Sequence, residues 1–222
     1  FLAYLSGVGV KDHRIHLTFP TLWLKEHPAE ETMEVLDGTS WSCEHHLLRW
    51  SGACGCTAQA EWKAPLRAAL DRVAGELDAI YQREAAALGC DPWELRNRYI
   101  QVLSGRATLA EILVEICPEP LEAAQVRLLD LLLAAQVERQ RMFTSCGWFF
   151  EDYDRIEPRN VTAYAAQAVW LTALATGEDL TEMAAAALSA VASWRSGLRG
   201  DVVFRQHLQR ARAFYRDLDQ TR

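Results

Sequence analysis

A mainly α fold, a multi-helix bundle preceded by a short mixed α/β segment, is what this sequence of 222 residues predicts. Three observations carry that expectation. From Trp62 onward apolar side chains recur at intervals of three and four residues, the period of a helix with one buried face. Helix starts and stops are written in cap chemistry, at Asp91-Pro92, at Thr108 with Glu111, at Gly89 and at Gly177. Strict alternation of polar and apolar residues, the period of a half-buried strand, is confined to Arg14-Ile-His-Leu-Thr-Phe19.

Residues 1–38 form the mixed part and residues 39–222 the bundle. Phe1-Leu-Ala-Tyr-Leu5 is apolar enough to end a buried helix, with Gly7 and Gly9 stopping it. Pro20 closes the strand, and a short helix from Thr21 to Glu26 ends at His27, because the residue before Pro28 is pushed out of helical geometry. Pro65 sits in a first helical turn, and Leu66, Leu70, Val73, Leu77 and Ile80 make an apolar stripe that Gly89 terminates. Asp91 caps a helix running to Leu103, and Thr108 and Glu111 form a capping box for another that reaches Cys117. Leu121 to Phe143 is apolar on more than one face and is expected in the middle of the bundle. Ser145-Cys146-Gly147 interrupts it, so that Trp148-Phe149-Phe150 emerge at a helix end, a place from which side chains reach a cleft. Three helices follow: Pro158 to Thr176, Leu180 to Arg195 with its stop at Gly197, and Asp201 to about Leu218.

Half of the residues are hydrophobic and 24% are charged, a balance that supports a packed core and excludes a disordered chain. A net charge of -7 and a pI near 5.4 argue against a nucleic-acid partner, which needs a basic face. No apolar run reaches about eighteen residues, so no membrane span is expected. The six cysteines read as reduced thiols of a cytoplasmic protein, not as a disulfide scaffold. The chain opens on Phe1 without a charged-then-apolar leader, as expected of a piece of something longer.

Chemistry is densest in Thr39-Ser-Trp-Ser-Cys-Glu-His-His-Leu-Leu-Arg-Trp-Ser-Gly-Ala-Cys-Gly-Cys56. Cys43, His45 or His46, Cys54 and Cys56 offer the thiolate and imidazole ligands that tetrahedral zinc prefers, so zinc is the candidate cofactor. The Cys-x-His and Cys-x-Cys spacings depart from the usual two-residue gaps. Two other readings stand beside it: buried thiols packed as small hydrophobes, and a Cys–His nucleophile pair for which no third, orienting group is identifiable. A second stretch, Thr144-Ser-Cys-Gly-Trp-Phe-Phe-Glu-Asp152, repeats the order of small residue, thiol, aromatics and carboxylates, and the two are expected to face one another.

Aromatics mixed with polar groups also suit a carbohydrate. Pyranose rings stack on indole while charged groups bind the hydroxyls, which makes Trp41, His45, Arg49, Trp50, Trp148, Phe149, Glu151 and Asp152 candidate substrate-binding residues; plain core packing of the aromatics is the alternative. His45 and Arg49, four apart, share a face if their segment is helical.

The run Ser40-Trp-Ser-Cys-x-His45, Arg49-Trp50, Cys54-Gly-Cys56, Trp62-x-Ala-Pro-Leu-Arg67 and Thr144-Ser-Cys-Gly-Trp-Phe-Phe150 resembles the helical C-terminal domain, a domain of unknown function, of proteins related to glycoside hydrolase family 57. The resemblance covers about Thr21 to Ala175. One departure is His45-His46, where that family shows His-Gly. The resemblance implies a substrate-cleft domain of a glycoside hydrolase or glucosyltransferase acting on α-glucans, beside the upstream catalytic barrel of the same protein, with residues 1–38 the end of that barrel-like domain. Family 57 enzymes are retaining and need two carboxyls about 5 Å apart. Neither is placed by the motifs, so no catalytic residue is assigned, and Glu44, Glu151, Asp152 and Asp154 read either as rim ligands of a sugar or as helix-terminal charges. From a different class, the alternative is a non-catalytic helical interaction module stabilised by a metal or thiol cluster at Cys43, His45, Cys54 and Cys56.

Overall fold

The computed structural model of the chain describes residues 17–220, which divide between two compact units, Phe1–Thr39 and Ser40–Arg222. The apolar opening at residues 1–5 and most of the expected strand lie outside the described residues. Leu17 to Phe19, the described end of that strand, is neither paired nor helical, so the mixed α/β segment is not borne out there. In the first unit one short helix, α1 (Pro20–Glu26), buries none of its residues and stops at His27, whose ring stacks on Trp23.

The second unit is helical, with α2 (Lys63–Ala87), α3 (Pro92–Leu103), α4 (Leu109–Ile116), α5 (Ala123–Arg141), α6 (Ile156–Thr176), α7 (Thr181–Leu188) and α8 (Gly200–Gln220). Among the described residues the extended pairing is limited to one bridge between Ala192 and Arg199. The caps sit where the sequence puts them. Asp91 accepts from the backbone N–H groups of Trp93 and Glu94, both at 2.9 Å, and Thr108 and Glu111 close a reciprocal capping box.

At 25 residues α2 is about 37 Å long and runs through two cores. Its first half, Leu66 to Leu77, packs with Trp62, Trp148, Tyr153, Val161, Val169, Leu188 and Phe204. Its second half, from Ile80, packs with Leu95, Ile112, Leu129, Leu132 and Leu133. A half-buried polar contact joins the helices between them: Arg139 of α5 donates twice to Asp78 of α2, at 3.0 and 2.7 Å, and Gln136 donates to the same carboxylate at 3.1 Å. Helix α6 is buried on more of its circumference than α5, nine residues against five, although α5 carries the longer leucine run. The small Ala165, Ala166 and Ala168 let α5 and α8 both approach α6 closely, which the bulkier leucines of α5 do not permit.

Two expectations are corrected. Cys90 and Cys117 are joined by a disulfide rather than standing as free thiols. α3 and α4 fold back on one another, so the two ends of a 27-residue separation meet with Cα atoms 4.4 Å apart, a closure that spacing alone does not reveal. Constraining a loop of that length contributes about 3–4 kcal/mol.

The second correction is that α7 ends at Leu188, seven residues before the expected Arg195. Ser193 is drawn out of helical geometry by side-chain bonding. Its hydroxyl donates to Asp152 at 2.7 Å and accepts from the backbone of Arg195 and Ser196 at 3.1 and 2.9 Å, a competition that outweighs the helix propensity of the alanine run. The chain then turns back, with Gly200 N–H donating to Val191 O at 2.9 Å. A Cβ at Gly200 would lie 2.6 Å from the carbonyl oxygen of Leu188 and 2.9 Å from Val191 Cβ. Gly200→Ala is therefore expected to cost about 1–3 kcal/mol, seen as a lower urea midpoint at unchanged helix content.

Candidate metal centre

At the start of the second unit, ahead of α2, residues 40–61 contain no regular element beyond a single turn of 3-10 helix at Leu48–Trp50. Two consecutive left-handed residues, His46 at φ 50° and Leu47 at φ 62°, reverse the chain after His45. That reversal brings the His45 ring back toward Cys43. The premise that His45 and Arg49 share a helical face is thus corrected: the segment is not helical there. Left-handed geometry costs a non-glycine residue about 1–2 kcal/mol. His46→Gly is expected to leave the site intact and raise stability by up to about 1 kcal/mol, measured by thermal unfolding.

Cys54 and Cys56 return from the other end of the same loop. The Sγ atoms of Cys43 and Cys54 lie 3.9 Å apart, Cys56 Sγ lies 3.3 Å from His45 Nδ1, and Cys43 Sγ lies 3.9 Å from that nitrogen. All four ligand atoms fall within 4.8 Å of one another. A tetrahedral ion with metal–sulfur bonds of about 2.3 Å holds its sulfurs about 3.8 Å apart, so the set has the dimensions of one coordination sphere. A disulfide would need the sulfurs about 2 Å apart. Cys43 is buried, Cys54 and Cys56 half-buried, and His45 exposed.

The surroundings act on two of the thiols in opposite directions. Backbone N–H groups of Arg49 and His45 hold the Cys43 thiol down at about 6, while burial pushes Cys56 up. One cation borders the cluster. Arg49 is buried, donates to the Cys56 carbonyl at 3.1 Å and leaves its Nε without a partner. Lys63, the first residue of α2, is fully buried with no hydrogen bond to its ammonium, and burial, with Arg49 nearby, lowers its pKa to about 8.

The two dense stretches meet, as the sequence led us to expect. Trp41 stacks on Phe149 with ring centroids 5.7 Å apart, Trp50 meets the same ring edge-on at 5.3 Å, and the Arg49 guanidinium lies 5.1 Å from its centroid. Trp41 is 90% exposed and tops this ledge. Other candidates are spent inside the protein. Trp148 is buried in the first core, where Gly147 lets the chain press against α6; a Cβ on Gly147 would come within 2.5 Å of Val161. Asp152 is wholly buried and accepts from Tyr153 N–H, Ser193 Oγ and Trp194 N–H at 2.7, 2.7 and 3.2 Å. Glu151 presents its carboxylate to Arg195 at 3.2 Å, while its carbonyl accepts from the indoles of Trp62 and Trp194, each at 3.2 Å.

Sequence reasoning quoted Trp62 and Arg67 only as motif letters and gave Lys63 no role. Yet Lys63 stands three residues before Leu66 and seven before Leu70, on the apolar stripe of α2, where a buried cation is rare. Arg67 donates to the Trp50 carbonyl at 3.2 Å and so ties the ledge to α2.

Among the described residues no helix is long and apolar enough to cross a membrane. No curated protein and no solved structure matches the chain. The family model that matches, described as Domain of unknown function (DUF3536), spans residues 59–218, which take in the second motif and begin just past Cys56. With that span covering most of its length, the chain belongs to the DUF3536 family.

Proposed function

We propose that this domain is a zinc-held helical module, in which Cys43, His45, Cys54 and Cys56 bind one ion and fix a loop that presents an aromatic ledge. The observation that carries the reading is the convergence of four ligand atoms within 4.8 Å from the two ends of one loop. Three thiolates and one imidazole are a ligand set of structural zinc, which leaves no coordination position open for chemistry on a substrate. The ion's contribution is to folding: the loop has no regular element beyond one 3-10 turn, and metal binding supplies the order. Cobalt(II) titration of the purified chain without oxygen tests this. A thiolate-to-cobalt absorption band saturating at one equivalent, lost in Cys54→Ser, is expected; absence of the band contradicts the reading.

A second reading concerns what the ledge meets, and the exposure of Trp41 on top of Phe149 beside Arg49 favours it. A flat indole flanked by a guanidinium suits the face and hydroxyls of a sugar ring. Together with the motif resemblance, this supports a substrate-cleft role in a cytoplasmic, family 57-like protein acting on α-glucans, with catalysis left to an upstream barrel. Soluble α-glucan should then change the tryptophan fluorescence of the chain, and Trp41→Ala should abolish the change without altering thermal stability. The chain alone should release no reducing ends. An unchanged fluorescence titration in Trp41→Ala would remove the ledge from sugar binding.

A further inference from the structure

We propose that the groove between α3 and α5 binds a small amphiphilic carboxylate, with its charged head on Arg96 and its apolar body along Ile100, Leu103, Leu133 and Val137. The two helices line a cavity of about 440 Å³ there, within the size range of small-molecule sites. No carboxylate belongs to its lining. Ile100 and Leu103 are 62% and 56% exposed, so apolar surface of the groove meets water, while Leu133 in the same lining is fully buried.

Of the two arginines in the lining, Arg141 is paired with Glu138 at 2.8 Å. Arg96 makes no ion pair among the described residues and is held by two uncharged groups instead. Its guanidinium lies 4.2 Å from the Trp93 ring centroid, and its Nη1 donates to Gln136 Oε1 at 3.4 Å. Gln136 is 1% exposed and its Nε2 donates to Asp78 at 3.1 Å, which turns the amide oxygen toward Arg96. Asp78 itself is taken by Arg139 at 2.7 Å. A guanidinium carries five N–H donors in a planar fork, so most of Arg96 is left to grip a carboxylate. Tyr99, in the same lining, is 8% exposed, yet its hydroxyl makes no hydrogen bond among the described residues, where a buried tyrosine ordinarily finds a partner. Burial, and Asp130 outside the lining, raise its pKa, which keeps the hydroxyl a donor. One unpaired guanidinium and one hydroxyl match a single negative charge; a phosphate group would bring more charge than they answer.

Titration of the isotopically labelled chain with octanoate, followed by NMR, tests the assignment, with octanamide as the uncharged probe of the same size. Octanoate should shift amide signals at residues 96–103 and 133–141 and bind at least about tenfold more tightly than octanamide, because hydrogen bonds to a charged group are the stronger kind. Arg96→Gln should weaken octanoate about 10–100-fold and leave octanamide unchanged. Tyr99→Phe, which removes one oxygen from the lining, should weaken octanoate about two- to tenfold and serves if the arginine variant does not fold. Absence of these shifts at millimolar octanoate, equal affinity for octanoate and octanamide, or wild-type affinity in Arg96→Gln would overturn the site. Inorganic phosphate bound more tightly than octanoate would overturn the choice of a monocarboxylate.

Discussion

Asp152→Ala is expected to destabilise the domain by about 3–5 kcal/mol, because it strands three donors that now share one buried carboxylate. The loss propagates through the fold. Ser193 would no longer be pulled out of the alanine-rich run, so the turn that brings Gly200 back onto Val191 and Leu188 loses its anchor. Asp152→Asn keeps the shape and one acceptor oxygen and should cost less, about 1–3 kcal/mol. Urea unfolding followed by circular dichroism measures both. A variant of unchanged stability with weakened sugar binding would return Asp152 to the rim where the sequence reading placed it.

Loss of the metal is the second large effect. Structural zinc contributes on the order of 10 kcal/mol to small domains that depend on it. Here the helices have cores of their own, so the consequence should be local. Cys54→Ser, or removal of the ion by a chelator, is expected to leave helix content unchanged and to raise the rate of proteolytic cutting between residues 40 and 61 by at least about tenfold. Equal cutting rates with and without metal would mean that side-chain packing, not the ion, orders this loop.

The helical part of the fold was legible because its signals are local. Asp91, Thr108 and Glu111 declare helix starts through side chains that reach their own backbone, and the α2 stripe declares a buried face through its period alone. The failures share a cause of the opposite kind. The end of α7 depends on a carboxylate 41 residues away, and the Cys90–Cys117 bridge on how α3 and α4 fold back. No window of sequence contains either partner set. Trp148 and Asp152 were misplaced for the same reason: aromatics and acids look alike in sequence whether they line a cleft or fill a core.

The ligand set was legible as residue types but not as a sphere. Its spacings gave little reason to expect convergence, since they lack the two-residue gaps of common zinc turns. What makes them converge is the left-handed pair His46-Leu47, which folds Cys43 and His45 back onto Cys54 and Cys56. Glycine at the first position of that pair would have been a readable sign of the reversal; histidine hides it.

X-ray absorption at the zinc edge, on the chain purified without added chelator, tests the central claim most directly. Three sulfurs at about 2.3 Å and one nitrogen at about 2.0 Å around one zinc per chain is the expected first shell. Zinc surrounded by oxygen and nitrogen alone, or a chain that carries none and titrates Cys43, Cys54 and Cys56 as free thiols after zinc has been supplied, would contradict it.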